Sequence, residues 1–375
     1  MGSSVLNEKV ETPVLLAEAP PQKHKRLYAN YIRAIAAFAV VQMHSVGGYL
    51  FQFNPALSFD TQWWTANVYY SLLRWATPFF IMLSGMLMLN PSRDETTAEF
   101  LRKRVSRVLI PFSFWAVVYL LYEYRANIYF WEAPDWTAVW KKIFYEDVYY
   151  HLWFIPMITG MYLLTPVFRI WIKNAQRTDI EYFLVLAFSI TALQHFVPNL
   201  FIVKYIGWLG YIGFYVLGYY LATYPITWKK WIYPVALVTP ALTALGTYWL
   251  TRQAGAYDNR IFVYFSPNVV LLSFALFVFL RDFDWPAFAV RYPRLNRVIN
   301  RCAELSYGVY FIHVLILEVL KNGYIANLHV PSDVFFNVPV QPAFGAFIQA
   351  FLTVLIATGL INLLSRVPVL NKWLM

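Results

Sequence analysis

Stretches of about twenty apolar residues recur along this chain, and no other feature of the sequence constrains its fold as tightly. A helix needs about 20 residues to cross the ~30 Å hydrocarbon core of a bilayer. Backbone N–H and C=O groups inside that core must find partners within the protein, so such stretches are expected to form a bundle of spanning helices. Hydropathy places the spans at 30–50, 66–89, 106–125, 149–171, 181–198, 203–222, 231–250, 262–280, 303–321 and 343–365. The expected fold is all-α: a polytopic integral membrane helix bundle of about ten transmembrane helices.

Composition agrees with this reading. Hydrophobic residues make up 59% of the 375, and charged residues only 13%. A soluble domain carries about 25% charged residues, so this chain has too few to cover a water-facing surface. The 15 Trp and 28 Tyr suit the membrane–water boundary, where one end of the ring is apolar and the other wet. A single cysteine, Cys302, excludes a disulfide framework. No Cys/His spacing of the structural zinc kind is present, and no metal is expected.

The net charge of +10 would suggest nucleic acid in a soluble protein. Here the basic residues follow topology instead. Lys23, Lys25, Arg26, Arg102, Lys103, Arg104, Arg107, Lys229, Lys230, Arg291, Arg294, Arg297 and Arg301 all fall on the side of the N-terminus. By the positive-inside rule both termini are cytoplasmic. The bilayer is then the partner and nucleic acid is not. Residues 1–25 read as a disordered cytoplasmic tail without signal-peptide character, and residues 26–375 as one membrane domain. The longest loop between spans, about 126–148, lies outside and carries Trp131, Trp136 and Trp140.

Ionisable groups within spans are costly and mark function by default. This chain has Arg33, His44, Arg74, His151, Arg169, His195, His313 and Glu318. Arg33 and His44 are eleven residues apart, three helical turns plus about 20°, so they share one face about 16 Å apart along the axis. A histidine at that depth suits general-base chemistry, because its ordinary pKa lies near neutrality. The plainer reading is a snorkelling Arg and a hydrogen-bonded packing His. Arg74 is expected in the outer part of the second span, where Pro78 loosens the helix and Ser84-Gly85 permits close helix approach. His151 and Trp153 open the fourth span, as an interfacial anchor or as part of a site. Arg169 is expected to snorkel to the inner surface, and His195 and Glu318 to lie near the outer one. Arg102, Arg104 and Arg107 precede the third span, either as a grip for a phosphorylated ligand or as an ordinary positive-inside cluster.

Five stretches in order resemble the transmembrane acyltransferase family 3, which includes bacterial O-acetyltransferases of cell-surface polysaccharides. They are YIRAIAAFAVVQMHS, TPFFIMLSGMLML, RKRVSRVLIP, HLWFIPMITGMYLLTP and SYGVYFIH. The resemblance runs from about residue 26 to 365. Some family members continue into a periplasmic hydrolase-like domain; ending at Met375, this chain is expected to lack one.

The resemblance implies a multi-pass enzyme of the bacterial cytoplasmic membrane that moves an acyl group, usually acetyl, from cytosolic acyl-CoA to a sugar hydroxyl at the outer face. Acyl-CoA is then a donor substrate rather than a resident cofactor. The acceptor is a polysaccharide or lipid-linked sugar, and polysaccharide-synthesis machinery is an expected neighbour. Arg102, Arg104, Arg107 and Arg33 would hold the CoA phosphates. His44 would be general base or transient acyl carrier. Arg74, His151, Trp153, Tyr310 and His313 would orient it, bind substrate or stabilise the oxyanion. Of two rival classes, a secondary transporter or lipid-sugar flippase predicts repeat symmetry and broken helix pairs that the sequence does not clearly show, and a non-catalytic scaffold leaves the Arg33–His44 alignment without purpose.

Overall fold

The computed structural model describes residues 22–51, 59–91, 95–197, 209–322, 324–325, 328–329 and 342–367. Most of the expected tail, and the turn expected at Pro198-Asn199, lie outside them. The first helix, α1, runs Gln22–Phe51 and so begins inside the stretch expected to be tail. It is followed by α2 (Thr61–Leu73), α3 (Ala76–Met88), α4 (Thr97–Glu123), α5 (Arg125–Phe130), α6 (Trp136–Phe144), α7 (Phe154–Asn174) and α8 (Arg177–Phe196). Then come α9 (Leu209–Thr223), α10 (Lys229–Ala254), α11 (Pro267–Asp282), α12 (Trp285–Arg291), α13 (Pro293–Asn322) and α14 (Pro342–Leu364). A two-residue antiparallel pairing joins Tyr324–Ile325 to Leu328–His329.

Seven helical segments among the described residues are long and apolar enough to cross a membrane: Leu27–Phe51, Thr61–Met88, Thr97–Glu123, Phe154–Asn174, Arg260–Asp282, Pro293–Leu320 and Ala343–Leu364. The chain is a multi-pass membrane protein. The three other expected spans correspond to α8, α9 and α10, which fall outside that set. Of these, α8 opens with Arg177, Asp179 and Glu181, and α9 is only 15 residues long as described.

Local chemistry sets the helix ends. The Asp60 side chain accepts from the Trp63 amide at 2.8 Å and starts α2. Thr96 and Glu99 form a capping box at the start of α4. The second span is interrupted at Arg74-Trp75. Pro78 lies four residues after Arg74, where its ring clashes with that carbonyl and it has no N–H to donate. Pro156 acts in the same way on α7. It sits in the first turn, so helix does not extend back over Leu152, and His151 and Trp153 stand in the turns before α7 rather than inside the fourth span.

One face of α1 is buried at helical spacing: Tyr28, Ile32, Ala36, Ala39, Met43, Val46 and Leu50. Side-chain bonds tie its start to α13, with Asn30 to Asn300 at 2.8 Å and Tyr31 to Asn296 at 2.8 Å. Arg301 of α13 in turn donates to Asn362 near the end of α14. The start of α1 and the end of α14 therefore lie at the same end of the bundle.

The tightest helix crossing joins α3 and α9. A Cβ added to Gly85 would stand 1.8 Å from the Tyr215 carbonyl oxygen, and one added to Gly218 would stand 1.9 Å from that of Met82. Each helix lays its backbone into the other's glycine, the close approach expected of Ser84-Gly85.

Candidate active site

A cavity of about 230 Å³ runs through the bundle beside α1 and is lined by both Arg33 and His44. Val40 lies between them on the same helical face. The α3 wall contributes Thr77, Phe80 and Ser84, and α13 contributes Ser306, Tyr307 and Tyr310. His151, Trp153 and Tyr162 close the cavity from α7 and the turns before it. One continuous space thus joins the guanidinium of Arg33 to the imidazole of His44 three helical turns along α1.

Three histidines from three elements converge at the His44 end. The His44 and His313 ring centroids are 5.3 Å apart, and those of His313 and His151 are 5.3 Å apart. Tyr150 meets His44 edge-on at 5.2 Å. His313 is fully buried. Its Nδ1 faces the Tyr310 carbonyl at 2.6 Å and the Val309 carbonyl at 3.2 Å. Carbonyls only accept, so Nδ1 carries a proton, and of the two neutral tautomers only the one with its lone pair on Nε2 fits. That Nε2 is buried without a hydrogen bond. His151 is 2% exposed, and its carbonyl accepts from Tyr310 Oη at 2.5 Å. Tyr119 packs edge-on to its ring at 4.9 Å while donating to the Phe311 carbonyl at 2.6 Å. Among the described residues, no group of three or more His, Cys, Asp or Glu is placed to hold a metal ion.

At the other end Tyr162 is the common point. Ser84, Arg33, Arg104 and Arg107 all lie near enough to its hydroxyl to act on it electrostatically. Arg104 is half-buried, whereas Arg102 and Arg107 are exposed. The basic cluster of α4 thus adjoins the Arg33 end of the cavity through two of its three arginines. Arg102 stands at the surface, its carbonyl accepting from Ser106.

Arg74 does not line the cavity. Its Nε donates to the Phe262 carbonyl, and its guanidinium lies 3.9 Å over the Tyr264 ring. Tyr264 does line it, packed on Trp153 at 5.7 Å and accepting from Thr77 Oγ1 at 3.2 Å. Arg74 stands one ring removed from the cavity. Arg169 does not snorkel freely. It donates to the Met88 carbonyl at 2.7 Å and pairs with Glu95 at 3.1 Å, with side chains only 11% and 13% exposed.

The acyltransferase domain family model, acyltransferase 3, matches residues 26–363, nearly the whole of the described bundle. The chain belongs to the acyltransferase 3 family. It is 24% identical over 342 residues to a Bacillus subtilis (strain 168) protein that carries the provisional name membrane-bound acyltransferase YfiQ, covering 83% of this chain and 84% of that one. It is also 24% identical over 336 residues to an amino-acid racemase of Enterococcus faecalis, where the match covers 80% of this chain and 42% of the racemase. No solved structure matches.

In this acyltransferase, sequence reading missed Tyr162, Tyr264 and Tyr150. Among 28 Tyr, nothing in spacing separates these from membrane-belt tyrosines. Only the place of Tyr162 and Tyr264 in the cavity wall, and of Tyr150 against the His44 ring, does so.

Proposed function

We propose that this chain transfers an acetyl group from cytosolic acetyl-CoA to a sugar hydroxyl of a cell-surface polysaccharide or glycolipid, across the bacterial cytoplasmic membrane. The observation that carries the reading is the cavity lined by Arg33 at one end and His44 at the other. Membership of an acyltransferase family supports the chemistry.

The reading assigns the CoA phosphates to Arg104, Arg107 and Arg33, with Arg102 at the periphery. A cavity of about 230 Å³ suits the pantetheine arm and a short acyl group, leaving the nucleotide at the mouth. In this scheme His44 takes the proton from the acceptor hydroxyl as its oxygen attacks the thioester carbonyl. The C–S bond breaks, the ester forms, and the CoA thiolate leaves with the proton returned from His44. His313 and His151 steady the His44 ring, and Tyr310 holds the turn that carries His151.

The reading also includes ten crossings with both termini in the cytoplasm. An even number of crossings is supported by the start of α1 and the end of α14 meeting the same helix, α13, at one end of the bundle. Counting α8, α9 and α10 as crossings brings seven to ten. The basic residues at that end support its cytoplasmic placement.

The test uses purified protein in vesicles with labelled acetyl-CoA supplied on one side and a candidate glycan on the other. Label transfer by wild type and its loss in His44→Ala is the expected result. Undiminished transfer by His44→Ala would sink the assignment.

A further inference from the structure

We infer that a second cavity, a groove among α8, α9, α10 and α11 remote from His44, is a binding site for one membrane phospholipid with an amine-bearing zwitterionic headgroup. The groove encloses about 820 Å³, within the range of sites for whole small molecules. It is independent of the catalytic assignment and rests on the proposed crossing of the membrane by α8, α9 and α10.

Its shape matches a lipid held along one leaflet. On α8 the lining runs from Arg177 to Ala192, about 22 Å at 1.5 Å per residue. A bilayer with its headgroups is ~40–45 Å thick, so one leaflet with its headgroup spans about that length. The deep wall is apolar, formed by Leu184, Phe188, Val270 and Phe274. Trp228 and Trp231 flank the mouth, 54% and 70% exposed, as amphipathic rings do at the interface.

The headgroup chemistry comes from the polar residues of the mouth. Arg177 Nε donates to Glu181 Oε1 at 2.8 Å, and Tyr220 Oη donates to the same oxygen at 2.5 Å. Arg177 Nη2 donates to Tyr220 Oη at 3.1 Å. This closed triangle leaves Glu181 Oε2 and Arg177 Nη1 without a hydrogen bond to the described residues. Both side chains are partly exposed, 40% and 47%. One acceptor of negative charge and one cationic donor therefore stand side by side. An ammonium on the first and a phosphate on the second satisfy both, which is the pattern of a phosphoethanolamine headgroup. A purely anionic headgroup would face the carboxylate.

The experiment is native mass spectrometry of the full chain in mild detergent after exposure to equimolar phosphatidylethanolamine and phosphatidylglycerol vesicles. Wild type should retain one phosphatidylethanolamine in preference. Val270→Trp, which fills the groove, should lose that retained lipid. Glu181→Gln should lose the headgroup preference by up to about fivefold. Because Glu181 is at the surface, this second variant still decides the matter if Val270→Trp fails to fold. Equal retention by Val270→Trp and wild type would overturn the site, as would a preference for phosphatidylglycerol in wild type or an unchanged preference in Glu181→Gln. None of these readouts depends on acyl transfer.

Discussion

The ring of His313 lies 5.3 Å from the ring of His44, and its own proton is committed to the carbonyl of Tyr310 at 2.6 Å. One histidine is thus held in a single tautomer by its own helix while its neighbour on α1 lines the cavity. In the proposed reaction His313 acts by packing against the His44 ring, without contact with either substrate.

His313→Ala is expected to lower kcat for acyl transfer by roughly 10²-fold, within the range for acid–base groups. KM for acyl-CoA should change little, because the proposed site for the donor's phosphates is elsewhere. Initial rates at varied donor concentration separate the two. A raised KM with unchanged kcat would place His313 in donor binding instead.

With labelled acetyl-CoA and no acceptor, no label is expected to remain on wild-type protein, because a general base forms no bond to the acyl group. Rapid quench followed by denaturing separation measures this. Label retained by wild type and lost in His44→Ala would make His44 the acyl carrier.

Arg104→Ala and Arg33→Ala are each expected to weaken CoA binding by about tenfold or more, since a hydrogen bond to a charged group contributes ~1.5–3 kcal/mol. Arg102→Ala should have a smaller effect, because that side chain is exposed and is not among the arginines that act on Tyr162. Calorimetric titration with CoA measures all three. Equal affinity across the set would return the cluster to plain topology.

Gln349→Leu is expected to stabilise the fold by about 1–3 kcal/mol, because both side-chain polar atoms of this fully buried residue lack a hydrogen bond. Gly85→Ala is expected to do the opposite, since its methyl group would meet the Tyr215 carbonyl oxygen. Thermal unfolding in detergent measures both changes.

The membrane bundle and the Arg33–His44 face were legible from residue type and helical period alone. So was the close approach at Ser84-Gly85. The signals for those features each lie within one helix, although the partner at Gly85 does not. The rest depends on which helices meet. His151 and His313 are recognisable in the sequence as ionisable groups within apolar stretches, but only the turn before α7 and the packing of α13 bring them into one cluster with His44. Arg74 was expected beside that cluster, yet the break caused by Pro78 turns it toward the Phe262 carbonyl. Tyr162 lies within the stretch HLWFIPMITGMYLLTP, but nothing in its residue type or spacing marks it as lining a cavity. The spans of α8, α9 and α10 were read from hydropathy, but charges at the start of one and the short described length of another keep them from standing out by composition.

The glycine crossing of α3 on α9 has a mechanical consequence for the cavity. Backbone touches backbone there, so the α3 wall that carries Thr77, Phe80 and Ser84 has no room to shift. On the opposite side α7 is tied by side chains, through Thr165 to Tyr215 at 2.7 Å and Arg169 to Glu95. Side-chain bonds stretch and re-form at far lower cost than overlapping backbones separate. The cavity therefore works like a vice with one fixed jaw, and any widening that admits an acyl-carrying arm falls to α7 and to its partner α4.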